Sequence, residues 1–161
     1  MALPPEILLQ RIVSGGQTGA DRAALDWAIH HEVPHGGWCP EGRRAEDGRI
    51  APCYQLQETP GQSKYHIRTK LNVRDSDGTV IITLSDQLSG GSALTQGMAR
   101  ELGRPCLHIA QATAAHPGWL LREFVHEHHI RTLNVAGPRE STEAEVGGFV
   151  HEVLTQAFCL I

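Results

Sequence analysis

Apolar positions along the chain alternate between short β-branched runs and stretches where they recur every three or four residues. Ile7 to Val13 (ILLQRIV) reads as a helical lead-in turn followed by a strand ending at Ser14. From Ala20 to His31 the spacing predicts a helix, with Ala20, Ala24, Trp27 and Ala28 on one face and Asp21, Arg22 and Asp26 elsewhere. A second strand is expected to end near Trp38. Residues 40–62 are broken by glycine and proline and mixed in charge, so they predict an irregular excursion with at most a short helix.

Ser63 to Val73 follows as a helix with Ser63 as N-cap. Thr79-Val80-Ile81-Ile82-Thr83 is β-branched without a polar break, which suits a strand covered on both faces. Gly90-Gly91-Ser92 opens a helix to Leu102 that Gly103 stops, and Pro105 to Ile109 gives the next strand. A helix over residues 117–129 starts at Pro117, whose missing N–H is harmless in a first turn. Thr132 to Ala136 is a fifth strand, and Ser141 to Phe158 a last helix, with Thr142-x-x-Glu145 as a capping box. Strand and helix in repetition predict a Rossmann-like, doubly wound α/β fold. Its mainly parallel sheet has about five or more strands with helices on both faces. The chain of 161 residues fits one such ligand-binding domain, 1–161.

Charge narrows the function. Fourteen Lys and Arg against eighteen Asp and Glu give a formal net charge of −4, without the basic footprint of a nucleic-acid-binding domain. No run of about eighteen apolar residues predicts a membrane span. The start, Met1 to Glu6, carries no basic leader, so a cytoplasmic protein is expected. The cysteines at 39, 53, 106 and 159 form no Cys-x-x-Cys pair and read as free thiols.

In this fold class ligands bind beyond the carboxyl ends of the strands. Three loops there share one character. Ser14-Gly15-Gly16-Gln17-Thr18-Gly19-Ala20-Asp21 joins the first strand to a helix, and its glycines let backbone amides approach an anion. It is neither a Walker loop nor a dinucleotide fingerprint, because Ser14 replaces the first glycine and Trp38-Cys39 stands where a ribose-binding carboxylate belongs; NAD is not expected. Ser89-Gly90-Gly91-Ser92, with Thr95, repeats the pattern. Gly137-Pro138-Arg139-Glu140-Ser141 adds an arginine able to grip phosphate or carboxylate with two bonds.

From Thr59 to Arg74 there are four basic residues and no acidic one. Either Arg68, Asn72 and Arg74 face an anionic ligand, with Asp75 beside them, or Lys64/Arg68 and Lys70/Arg74 form solvated stripes. Asp75 and Asp77 suit turn caps better than a metal. His126, His128 and His129 fall near a helix C-terminus, where the dipole favours histidine, and no ligand spacing completes a metal site there. Trp38 can stack on a heterocycle, whereas Trp27 and Trp119 read as helix packing.

Taken together, Ile12 to Arg22, Gly37-Trp38-Cys39-Pro40 with Gly42 to Gly48, Arg68-Thr69 with Asn72 to Thr79, Gly90-Gly91 with Thr95, and Asn134 to Ser141 resemble the "putative molybdenum carrier" family. That family sits within a wider Rossmann-like superfamily of nucleotide-ligand sensors and lysine-decarboxylase-like phosphoribohydrolases. The resemblance implies a homo-oligomer that binds molybdenum cofactor, as ligand rather than catalytic cofactor, or a nucleotide. The implied site is drawn from the three loops together with Trp38, Arg68, Asn72, Arg74 and Asp75.

One departure bears on catalysis. The phosphoribohydrolases carry Pro-Gly-Gly-x-Gly-Thr-x-x-Glu, and the glutamate position here holds Gly97. The leading expectation is therefore a carrier for a phosphorylated heterocycle, without turnover. The rival is an N-glycosidic hydrolase using Glu58, Asp75 or Glu140. The apolar tail from Val150 to Ile161 packs either on a neighbouring subunit or into the core of its own chain.

Overall fold

The computed structural model describes residues 7–61 and 65–159, and all but the Tyr65 side chain among them. In chain order the elements are β1 (Arg11–Val13), α1 (Ala20–His30), β2 (His35–Gly36), β3 (Trp38–Cys39), β4 (Arg44–Ala45), β5 (Gly48–Arg49), β6 (Gln57–Glu58), α2 (Tyr65–Arg74), β7 (Gly78–Thr83), α3 (Gly90–Glu101), β8 (Cys106–Ala110), α4 (Pro117–Glu127), β9 (Thr132–Ala136) and α5 (Val146–Phe158). Five strands form an all-parallel sheet in the order β2-β1-β9-β7-β8.

The last strand in sequence thus lies at the centre. Counted from β9, the order becomes 3-2-1-4-5, the doubly wound arrangement with its first strand–helix unit moved to the chain's end. The direction of winding reverses between β9 and β7, and a crevice opens there beyond the strand ends.

Strand alternation divides the core into two layers. Ile12, Val80, Ile82, Leu133 and Val135 point into an apolar layer with Trp27, Leu121, Phe124, Val150, Leu154 and Phe158. In this layer α5 packs against both α1 and α4, and Trp27 Nε1 donates to Thr155 Oγ1 at 3.0 Å. The opposite face of the central strands is partly polar. Asn134 Nδ2 donates to Thr79 Oγ1 at 3.2 Å across β9 and β7, both side chains being buried. There α3 rests on β7 and β8 with α2 alongside.

Four local expectations change. Residues 7–10 form no helical turn; Gln10 and Arg11 instead donate to the Arg131 carbonyl and extend the sheet edge. The second strand divides at Gly37, so β2 pairs with β1 while β3 pairs with β6. The excursion over residues 40–61 holds two small sheets, β3–β6 and β4–β5, and no helix. The last helix starts at Val146 instead of Ser141: Ser141 and Glu143 are drawn into bonds across the crevice, and Glu145, expected to close the Thr142 capping box, is itself the residue before the helix, at a φ of 73° and without a side-chain cap bond. Ser63 lies outside the described residues. The tail expectation resolves to the core of its own chain, with Val150, Val153, Leu154, Ala157 and Phe158 fully buried.

Candidate functional site

At the reversal point the strand ends enclose a cavity of about 230 Å³. Twelve of the residues expected to bind line it: Gly15, Gln17, Asp21, Arg68, Asn72, Gly90, Gly91, Ser92, Thr95, Gly137, Pro138 and Arg139. Sequence reasoning passed over Thr69, Thr83, Gln87, Ser89, Asn134, Val135, Ala136, Thr142 and Glu143, which line it too. Most of these end the central strands or begin the loops after them, a position that only the sheet order identifies.

The cationic wall comes from α2. Arg68 is 4% exposed and lines the cavity, so it does not belong to a solvated stripe. One turn further on, Asn72 clamps β3: its Oδ1 accepts from Trp38 N at 2.8 Å and its Nδ2 donates to Trp38 O at 3.0 Å. The helix is thereby pinned in register with the loop it supports.

The second glycine loop, at the start of α3, also faces the cavity. The helix begins at Gly90 without a side-chain cap. Among the hydrogen bonds of the described residues the Gly90 and Gly91 amides donate to nothing, and both residues line the cavity. Open N–H groups at the positive end of a twelve-residue helix are chemically able to receive an anion. Thr95 Oγ1 is committed to Gly91 O at 2.8 Å, so its hydroxyl shapes the first turn.

The first loop is only partly open. Three of its amides have partners: Gly16 N donates to Ser14 Oγ at 3.3 Å, Gln17 N to Asp21 Oδ2 at 3.3 Å, and Thr18 N to Gln17 Oε1 at 3.1 Å. Among the hydrogen bonds of the described residues the amide of Gly15, which lines the cavity, donates to nothing. Gly16 packs under Ile50 and Leu56, where a Cβ would stand 2.6 Å from Leu56 Cδ1. Gly19, at φ 79°, lets the first and third loops touch backbone to backbone, since a Cβ there would lie 2.5 Å from Pro138 O. Gly137 serves the same end against β7, at 2.3 Å from Ile82 O. These glycines answer to loop packing rather than to an anion.

Asp21 turns its carboxyl toward Arg68 in the cavity. Burial pushes its pKa up to about 6 against the opposing pull of Arg68 and the Gln17 amide. Glu143 is the second carboxylate of the lining and accepts from Leu84 N at 2.8 Å and Ser85 N at 2.9 Å, which fixes the turn after β7. Thr83 Oγ1 donates to Ser85 O at 2.5 Å and accepts from His108 Nε2 at 2.7 Å. Two arginines therefore face one fixed carboxylate and one carboxyl that is easily protonated.

Eight expected residues fall outside the lining. Gly16, Thr18 and Gly19 are occupied as described, and Glu140 and Ser141 lie beyond the rim. Trp38 lies off the cavity lining, with its Nε1 donating to Asp75 Oδ2 at 2.8 Å. Arg74 and Asp75 form an exposed ion pair at 2.7 Å, the solvated stripe. Of the acids proposed for hydrolysis, Glu58 caps Gly42 N on the far excursion and neither Asp75 nor Glu140 lines the cavity. Gly97 is exposed on α3 and also lies off it. Asp77 serves a distant partner in place of the local turn expected of it: its Oδ2 accepts from Arg131 N at 3.0 Å and Thr132 N at 2.9 Å, at the start of β9. Among the described residues no three His, Cys, Asp or Glu side chains converge as a metal site would require, and no helix is long and apolar enough to cross a membrane.

Comparison with known proteins meets this geometry. A crystal structure from Syntrophus aciditrophicus SB, described as a "Putative molybdenum carrier protein", is 47% identical and superposes with a TM-score of 0.89, covering 93% of this chain and 95% of that chain. Comparison with curated proteins finds no match. The profile described as "Circularly permutated YpsA SLOG family" matches residues 12–158, from β1 to the end of α5. A doubly wound sheet whose first strand–helix unit closes the chain is a permuted one, and the chain belongs to the circularly permutated YpsA SLOG family.

Proposed function

We propose that the chain is a binding and carrier protein whose cavity takes a small ligand through an oxyanion, the ligand being a phosphorylated heterocycle of the molybdopterin or nucleotide kind. The observation that carries this reading is the buried Arg68 lining the same cavity as the open Gly90 and Gly91 amides of α3. A guanidinium and a helix N-terminus on one cavity bind a phosphoryl group by charge and by directed N–H bonds together. The description of the Syntrophus protein as a molybdenum carrier supports cargo of the molybdenum-cofactor class.

Native mass spectrometry of the protein from its host, followed by denaturation, tests the cargo. A released pterin, nucleotide or molybdenum species supports the carrier. Arg68→Met is expected to weaken nucleoside monophosphate or molybdate binding by roughly 10- to 100-fold, the worth of a charge-assisted bond, with the circular dichroism unchanged. Equal affinity in this variant removes Arg68 from the site.

Asp21 sustains a second reading, N-glycosidic hydrolysis, because a carboxyl with a pKa of about 6 in an anion-binding cavity can donate a proton to a leaving base. Base release from a nucleoside monophosphate, lost in Asp21→Asn, would replace the carrier by the enzyme. The resemblance also implies a cytoplasmic homo-oligomer, which light scattering checks for assembly.

A further inference from the structure

The tip of the β4–β5 hairpin, Glu46, reaches the seam between the first and third loops. Its carboxylate accepts from the Thr18 hydroxyl, from Ser141 N at 3.1 Å and from Ser141 Oγ at 2.5 Å, with Arg139 Nη1 3.9 Å away. A guanidinium, a backbone amide and two hydroxyls converging on two oxygens form the donor set of an oxyanion site, and here a carboxylate of the chain stands in it. Arg139 and Gln17 border both this cradle and the cavity, since Gln17 Oε1 also accepts from Glu46 N at 2.9 Å. The hairpin tip is held by polar contacts, since every residue from Arg44 to Arg49 is exposed or half-exposed and Asp47 pairs with Arg22 at 2.9 Å, while the buried Ile50 anchors its base.

We propose that Thr18, Arg139 and Ser141 form a second anion subsite at the cavity rim, that Glu46 occupies it as a resident anion, and that a ligand with two anionic groups displaces Glu46 and lifts the hairpin. This rests on the reading of the cavity as an anion site and narrows the ligand to one carrying a second charged group, as a diphosphate does. Contacts that depend on charge exchange readily for another anion of higher charge, whereas an apolar anchor would not release.

The test is a titration of isotope-labelled wild-type protein and Glu46→Gln with inorganic phosphate and with pyrophosphate, following backbone amide resonances. Gln keeps the length and an acceptor oxygen, so the fold is retained. In Glu46→Gln the Ser141 amide is expected to respond to phosphate at about tenfold lower concentration than in wild type, as removal of an internal competitor requires. In wild type, pyrophosphate is expected to speed hydrogen exchange at Gly48 and Arg49. If Gly91 and Ser92 respond while Ser141 shows the same midpoint in both proteins, the rim subsite is overturned and the cavity reading stands. If no cavity amide responds in either protein, both are overturned.

Discussion

Asp21 is the residue where chemistry departs most from the ordinary. Its folded-state pKa of about 6 lies above the usual 3.8, so the folded chain holds this proton longer than the unfolded one. The stability that the proton brings is full below about pH 4 and is lost as the pH rises toward 6. Asp21→Asn is expected to flatten that part of the pH–stability curve, as chemical denaturation at a series of pH values would show. On the proposed reading of the cavity the same proton governs anion binding. Sulfate, a dianion throughout this range, should bind more tightly at pH 5 than at pH 7 in wild type and equally in Asp21→Asn, measured by calorimetry. The residue types of the site were legible, since glycine, serine and arginine at strand ends point to anions. Which of them face the ligand was not: Arg68 and Arg74 look alike in sequence, yet Arg68 is buried at the cavity and Arg74 is paired in solvent.

At the scale of elements, α2 and α3 carry the cavity, and their placement depends on few contacts. Asn72→Ala removes both bonds to the Trp38 backbone and leaves a partly buried amide without its acceptor. The expected cost is about 2 kcal/mol, read from the urea midpoint, with weaker anion binding as α2 loosens. Gly97 is the opposite case. It sits in the interior of α3 with nothing within 4 Å of an added Cβ, so Gly97→Ala should stabilise by about 1 kcal/mol without altering ligand affinity. Its openness shows that the helix itself would admit a glutamate there, and that Gly97 is no packing requirement. The helices were readable because their apolar periodicity persists over ten or more residues, and the central strands because their β-branched runs have no polar break. The start of the last helix was not. Its predicted first residue, Ser141, and Glu143 serve partners 95 and 59 residues away, which local spacing cannot register.

For the whole molecule, the apolar layer formed by α1, α4 and α5 holds the permuted unit in place. Trp27 is fully buried, stacks 4.2 Å from the His31 ring and ties α1 to α5 through Thr155. Trp27→Ala is expected to cost about 4 kcal/mol in urea unfolding, a large part of the stability of a domain this size. Because β9 and α5 complete the sheet last in sequence, the loss should appear as one transition rather than as release of the C-terminal unit.

The sequence by itself determined the class of fold, the number of main strands and, through its motifs, the family. These follow from periodicity, β-branching and glycine-rich loops, all of which are local properties. Only the tertiary structure decided that β9 lies between β1 and β7, that Gly16, Gln17 and Thr18 of the first loop spend their amides inside the loop, and that Glu46 stands in the donors of the third. Each of these depends on which distant segment satisfies a given polar group. Strand pairing and hydrogen-bond partnership across 28 to 122 residues are set by packing of the whole chain and leave no local trace.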